Sequence, residues 1–347
     1  MQYVYQPLTF KRDEHDGTIR IISRDSFTHP SEYDITCDTV TYGSERLINV
    51  YARLKEDKPW AEKGFVVARE QFVLQAWEWP QPERQSASLP RSNGAGGGSV
   101  IINGNTLSSW IVDGREVLQG PLEPYFWKPE NDNQRAAGFA RRVAEWKVVK
   151  DVTVNYTIID DHTILVEMDY QPTATDRPII PKVGMRMRLP ADFTQIRYYG
   201  RGPWENYPDR KRSAFLSEYE MPLCDYETEY IRPQDNGNRC DIRWFEIFQP
   251  STSANEPVAS ALGGTLRIDG LQPLCIRAWD YGEEDLDAAP RHPQDLQRGR
   301  FVNLNIDLNI HGVGGVDTWG QRTLPQYTID GNQPYHYAFI LSLCRQK

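Results

Sequence analysis

The 347-residue sequence holds only five cysteines, and no two of them form a Cys-x-x-Cys pair. Cys37, Cys224, Cys240, Cys275 and Cys344 are odd in number and scattered. Neither a disulfide framework nor a zinc site is indicated, and reduced, buried thiols are expected. The six histidines make no His-x-His or His-Glu-x-x-His pairing, so no metal site is expected. No run approaches the roughly eighteen apolar residues of a transmembrane helix. The opening MQYVYQPLTFKRDEHDG lacks the apolar core of a secretory leader. A cytoplasmic protein is expected, with the periplasm as the alternative for a longer parent. Basic excess is missing too: 39 Lys and Arg stand against 48 Asp and Glu, a net charge of −9. Nucleic acid and membrane surfaces are therefore poor partners. The chain has no Gly-x-Ser-x-Gly, no phosphate loop and no dinucleotide fingerprint. GAGGGS (94–99) lacks the preceding strand and following helix such a loop needs.

Aromatic residues are plentiful, with 10 Trp and 18 Tyr, and 39% of the chain is hydrophobic. That is enough for a core, and the length points to two domains. Period-2 alternation dominates. GTIRIISRDSF (17–27), YDITCDTVTYG (33–43) and FVVAREQFVLQAW (65–77) read as strands of a small immunoglobulin-like β-sandwich over residues 1–80. Residues 81–98 are rich in Pro, Ser and Gly and read as a linker. Beyond them, Asn103-Gly104 and Asp113-Gly114 separate apolar runs, the strongest short-range hairpin signal. DVTVNYTIIDDHTILVEMDYQP (151–172) is a further hairpin, and VGMRMRLP, GGTLRIDG and RFVNLNIDLNIHG all alternate. RAAGFARRVAEWKVV (135–149) is the one helix-like stretch. The expected class is all-β, with a large antiparallel sandwich over 99–347.

Two stretches invite a functional reading. In YYGRGPWENYPDRKRS (198–213), Glu205 and Asp209 are candidates for the carboxylate pair of a glycosidase. Arg201 and Arg210 lie within the same turn, and matched charges oppose the raised pKa a general acid needs. The stretch therefore reads as a structural corner. HGVGGVDTWG (311–320) places a Trp on a glycine-supported loop after a strand. Trp319 is either an exposed platform for a pyranose ring or a lid folded onto the sheet edge. NEP (255–257) sits in a polar loop with no strand to aim it.

RYYGRGPWENYPDR, YIRPQDNGNRCDIRW, HGVGGVDTW and the ending YHYAFILSLCRQK resemble, in order, the C-terminal portion of large bacterial β-galactosidases of glycoside hydrolase family 2. EPYFWKPENDN (123–133) and IIPKVGMRMRLP (179–190) extend the likeness, which runs from about residue 95 to the end. The resemblance implies a final domain similar to galactose mutarotases, preceded by a small sandwich. It implies that both catalytic glutamates, with the Mg²⁺ and Na⁺ ions relatives use, lie on an upstream TIM barrel, which needs about 250 residues of βα alternation that this chain lacks. No catalytic residue, cofactor or metal is then expected in this chain, which alone should be inactive. Trp319, on the loop of Gly314, Gly315 and Asp317, is implied to stack on the galactoside substrate. The implied partners are that barrel and, in the parent, further copies of the same protein. Val316 stands where relatives often carry an acid, which breaks the pattern locally. A free-standing carbohydrate-binding module and an aldose mutarotase using His311 are the alternative readings.

Overall fold

The computed structural model describes residues 3–26, 28–81, 99–250, 264–317 and 319–345. The expected linker over 81–98 lies, apart from Gln81, outside these residues, as do NEP and Thr318. The chain divides into two compact units, Met1–Glu78 and Trp79–Lys347.

The first unit carries five strands: β1 (Leu8–Arg12), β2 (Ile19–Ser23), β3 (Tyr33–Tyr42), β4 (Glu45–Leu54) and β5 (Val66–Gln75). β1 and β2 form one antiparallel sheet, and β3-β4-β5 the other. Leu8, Phe10, Val50, Ala52, Leu54 and Val67 make their shared core. β4 is the central and most buried strand, and no alternation marked it in the sequence. Its burial alternates imperfectly, and its pairing with β5 slips register between Arg46 and Leu47.

The second unit is a single thirteen-stranded antiparallel sheet that curls around one core. Its first strands are β6 (Ser99–Asn103), β7 (Thr106–Val112), β8 (Arg115–Glu116) and β9 (Gly120–Pro124). The Asn-Gly and Asp-Gly turns fall where expected, with Gly104, Asp113 and Gly114 all at positive φ. The helix-like stretch is broken instead into α1 (Asp132–Ala136), α2 (Phe139–Arg142) and a 3-10 turn at Ala144–Lys147. Gly138 between the first two adopts φ 62°, the left-handed conformation that stops a helix.

The sheet continues through β10 (Val152–Asp160), β11 (Thr163–Tyr170), β12 (Lys182–Leu189), β13 (Gln195–Gly202) and β14 (Phe215–Pro222). After the short α3 (Leu223–Tyr226) come β15 (Arg239–Phe248) and β16 (Gly264–Trp279). A last short helix, α4 (Glu283–Asp287), precedes β17 (Val302–Ile310) and β18 (Tyr335–Arg345). β16 organises this half. On one edge its first part pairs with β18 and its second with β17. The changeover falls at Pro273, which has no N–H to give a ladder. There the Gln272 side chain donates to Ala338 O at 3.0 Å and accepts from Ala338 N at 3.1 Å, standing in for the missing backbone pairing.

The alternation of β12 and β17 does not mark a solvent face. One face supplies Met185, Met187, Leu304 and Ile306 to the core. The other carries Lys182, Asn303, Asn305 and Asp307, all fully buried as well. Polar residues at period 2 here line a second, ionic interior. The cysteines also depart from expectation: Cys240 and Cys275 are buried, but Cys37 and Cys344, on strands, and Cys224, on α3, are exposed.

Candidate functional site

The loop following β17 begins at His311 and carries Trp319, which is 91% exposed. The lid alternative is thereby removed. Val316 beside it is also exposed. Gly314 and Gly315 take φ of 74° and 85°, a conformation that L side chains rarely adopt. Asp317 folds the tip back, its Oδ1 accepting from Trp319 N at 2.9 Å and Gln321 N at 3.0 Å.

The 198–213 corner anchors this loop. Asp209 accepts from Val313 N at 3.1 Å and from Gly314 N at 2.9 Å, one carboxylate oxygen to each. Glu205 faces elsewhere: Arg210 and Tyr230 both donate to its Oε1, and Gly237 N donates to Oε2 at 2.8 Å. Arg201 does not pair across the turn; it meets Asp241, which Lys211 also holds at 2.7 Å. Both carboxylates of the would-be catalytic pair are thus consumed in holding backbone or matched charge.

α1 grips the loop from another side. Asn131 and Gln134 form a capping box, Gln134 N donating to Asn131 Oδ1 at 2.9 Å. Asn131 Nδ2 then donates to Val313 O at 3.2 Å, and Gln134 Nε2 to Gly312 O at 3.2 Å.

Beneath lies a cluster of six fully buried charges. Lys128 pairs with Asp235 at 3.0 Å and Lys182 with Asp307 at 2.7 Å. Arg277 bridges them, contacting Asp235, Glu283 at 3.3 Å and Asp307 at 3.7 Å. Tyr207 OH donates to Asp235 at 3.1 Å, tying in the corner, and Lys128 Nζ donates to Gln134 Oε1 at 2.8 Å, tying in α1. A chain of polar contacts therefore runs from β12 through Asp307, Arg277, Asp235, Lys128 and Gln134 to the Gly312 carbonyl. Burial pushes the Asp307 carboxyl up to about 6 against the pull of Lys182 and Arg277. The same loss of water lowers Lys128 and Lys182. Asp307 is wholly enclosed and cannot reach a substrate. Sequence reasoning passed over this cluster. Its one local trace is charge inside apolar strands, as in LCIRAW around Arg277.

His311 is 2% exposed, packs on Phe139 with ring centroids 4.8 Å apart, and is lowered to about 4 by burial. It lines a cleft of about 380 Å³ together with Phe139, Arg142, Ile179 and Arg322, a lining with no Asp or Glu. Among the described residues no three His, Cys, Asp or Glu side chains gather as a metal site would require, and no helix is long and apolar enough to cross a membrane.

The architecture is thus an all-β chain whose larger sheet, braced by an internal ionic cluster, carries the exposed indole of Trp319 on a clamped loop. Residues 101–341 match the family model of the β-galactosidase small chain, and residues 19–75 match domain 4 of β-galactosidase. The chain belongs to the β-galactosidase small-chain family. A β-galactosidase of Priestia megaterium is 28% identical over 86% of this chain and 31% of its own length. Those of Lactobacillus delbrueckii subsp. bulgaricus and Vibrio cholerae are 29% and 27% identical, over 86% and 85% of this chain and 32% of their own length in each case. The chain therefore spans about a third of these relatives. A galactose mutarotase-like protein of known structure, from Lactobacillus casei, covers 89% of the chain at 9% identity with a TM-score of 0.28, too weak a likeness to build on.

Proposed function

We propose that this chain is the C-terminal part of a retaining β-galactosidase of glycoside hydrolase family 2, acting on terminal β-galactosides such as lactose. In this reading it closes one side of the sugar pocket with Trp319. The nucleophile, the acid/base and the Mg²⁺ and Na⁺ sites belong to a TIM barrel elsewhere in the parent protein, which assembles as a homo-oligomer. The observation that carries the reading is an indole 91% exposed on a loop held by Asp209, Asn131 and Gln134. A rigid, solvent-facing ring suits the apolar face of a pyranose. The pairing of Glu205 and the backbone role of Asp209 favour a catalytic machinery outside this chain. A mutarotase reading finds no support, because the cleft around His311 is lined by no carboxylate base.

The test uses the parent enzyme and the 347-residue chain side by side. Trp319→Ala in the parent should raise KM for lactose about 5- to 30-fold, the worth of about 1–2 kcal/mol of ring contact. Its melting temperature should stay the same, since the side chain touches little. The chain alone should not hydrolyse a nitrophenyl galactoside. Turnover that survives purification and disappears in Glu205→Gln would sink the proposal. So would an unchanged KM in Trp319→Ala.

A further inference from the structure

The cleft behind the Trp319 loop is separate from the indole, which is not among its lining residues. Its walls are largely apolar, built by Phe139, Pro178, Ile179 and Val313. Its volume of about 380 Å³ falls within the usual span of small-molecule sites. The polar groups at its edge share one character. Arg142 lies over the Phe139 ring at 5.9 Å, and its Nε is buried without a hydrogen-bond partner. Arg322 stands near enough for the two guanidinium groups to repel each other. No Asp or Glu lines the cleft to balance them. The carboxylate whose charge Arg142 feels, Glu130, already accepts from Ala140 N.

His311 adds a complementary feature. Its Nδ1 lies 2.7 Å from Gly312 O, and a carbonyl only accepts, so Nδ1 carries the proton. Nε2 is then a bare acceptor, buried and without a partner. Buried polar atoms are ordinarily satisfied, and both orphans sit on side chains that line this apolar cleft, so a ligand that reaches them completes the bonding.

We propose that this cleft binds a hydroxylated organic anion of hexose size. Its phosphate or carboxylate sits between Arg142 and Arg322, a hydroxyl donates to His311 Nε2, and its apolar face lies along Phe139 and Ile179. The site does not depend on the substrate role assigned to Trp319. It places a second small-molecule site on the inner side of the loop whose outer side presents the indole.

Titration calorimetry of the 347-residue chain at low salt tests it, with glucose 6-phosphate, glucuronate, glucose and inorganic phosphate as probes. At least one of the two anionic sugars should bind with a submillimolar Kd, and which one does so identifies the anionic group. Glucose and inorganic phosphate should each bind at least about tenfold more weakly, since each lacks one half of the recognition. Arg142→Gln and Arg322→Gln should each weaken the anionic sugar about ten- to a hundredfold, the scale of a lost charge-assisted hydrogen bond. His311→Leu should weaken it and leave inorganic phosphate unchanged. Trp319→Ala should leave every value unchanged, which separates this site from the galactoside pocket. Arg322 is exposed, so its variant folds even where a His311 change does not. Absence of binding by both anionic sugars at about 10 mM overturns the proposal. So does glucose binding as tightly as they do, inorganic phosphate matching them, or indifference to Arg322→Gln.

Discussion

Replacing Arg277 by Met is the sharpest probe of what holds the loop end together. The cluster balances three cations, Lys128, Lys182 and Arg277, against Asp235, Glu283 and Asp307. Removing Arg277 leaves two against three, a net charge of −1 among fully buried side chains. Asp235 keeps Lys128 and Asp307 keeps Lys182, but Glu283 loses its guanidinium and its Oε2 already lacks a partner. Breaking a buried ion pair from one side costs about 3–5 kcal/mol. At about 2–4 °C per kcal/mol for a unit of this size, the melting point should fall by about 6–20 °C. The pH dependence gives a stricter signature. Asp307 already sits at about 6, above its unfolded value of 3.8, so the folded state binds a proton the unfolded state does not. Stability from this group is fully present below the unfolded value and is lost as pH rises through the folded one. Without Arg277 the folded value climbs further, and the loss window moves to higher pH. Urea unfolding at about pH 5.5 and about pH 8 should therefore show the variant's deficit growing with pH. A deficit below about 1 kcal/mol at both values, or one independent of pH, would refute the electrostatic account.

Asp209→Ala removes both acceptors from the loop amides and should cost about 1–3 kcal/mol. Hydrogen exchange at Val313 and Gly314 should accelerate, and unchanged exchange would deny the clamp. Gly184→Ala places a Cβ 2.7 Å from the Asp307 Cα, an overlap neither backbone can relieve cheaply. Its soluble yield should collapse or its stability fall by at least about 1–3 kcal/mol, and wild-type melting would contradict the packing described. His311, at about 4 in the fold against 6.5 unfolded, stays neutral while the unfolded chain takes up a proton. Its contribution is present above 6.5 and lost as pH falls towards 4, about 1.4 kcal/mol per unit. His311→Phe should flatten the acid side of the stability profile and reveal the opposite slope of Asp307, whereas an unaltered profile would count against a neutral buried imidazole.

Local chemistry made the hairpins legible. Asn103-Gly104 and Asp113-Gly114 demand positive φ within a few residues, and the chain supplies it there. The structural character of the 198–213 corner was legible as well, because charges of both signs crowd one turn. Their partners were not. Arg201 reaches Asp241 and Asp209 reaches a loop more than a hundred residues away, and no spacing rule foretells either. Gly202 lies in β13 and is needed because a Cβ there would stand 2.8 Å from the Tyr219 ring. The helix over 135–149 failed at Gly138, where one left-handed residue outweighed favourable neighbours.

Trp319 and the elements that aim it differ in how they are encoded. The exposed ring and its glycines are contiguous, so one motif reveals them. The support is dispersed: Lys128 pairs with a residue 107 positions on, and Lys182 with one 125 positions on. Lys182 and Asp307 show in sequence only as charged residues inside strands, where the period-2 rule reads them as facing solvent, and Lys128 and Asp235 lie in loops that carry no pattern at all. In β17 that rule identified the strand but not the surroundings of its polar face, because it separates apolar from polar positions without saying whether the polar side meets water or the buried charges of neighbouring strands. On the proposed role of Trp319, its loop needs a base that does not shift. Burying six balanced charges under it supplies geometric constraint even where a hydrophobic replacement would supply equal stability. Replacing Lys128, Asp235, Arg277, Glu283, Lys182 and Asp307 together with apolar residues of similar volume is therefore expected to keep the fold while loosening the Trp319 loop, which hydrogen exchange at Gly312 to Gly314 would register.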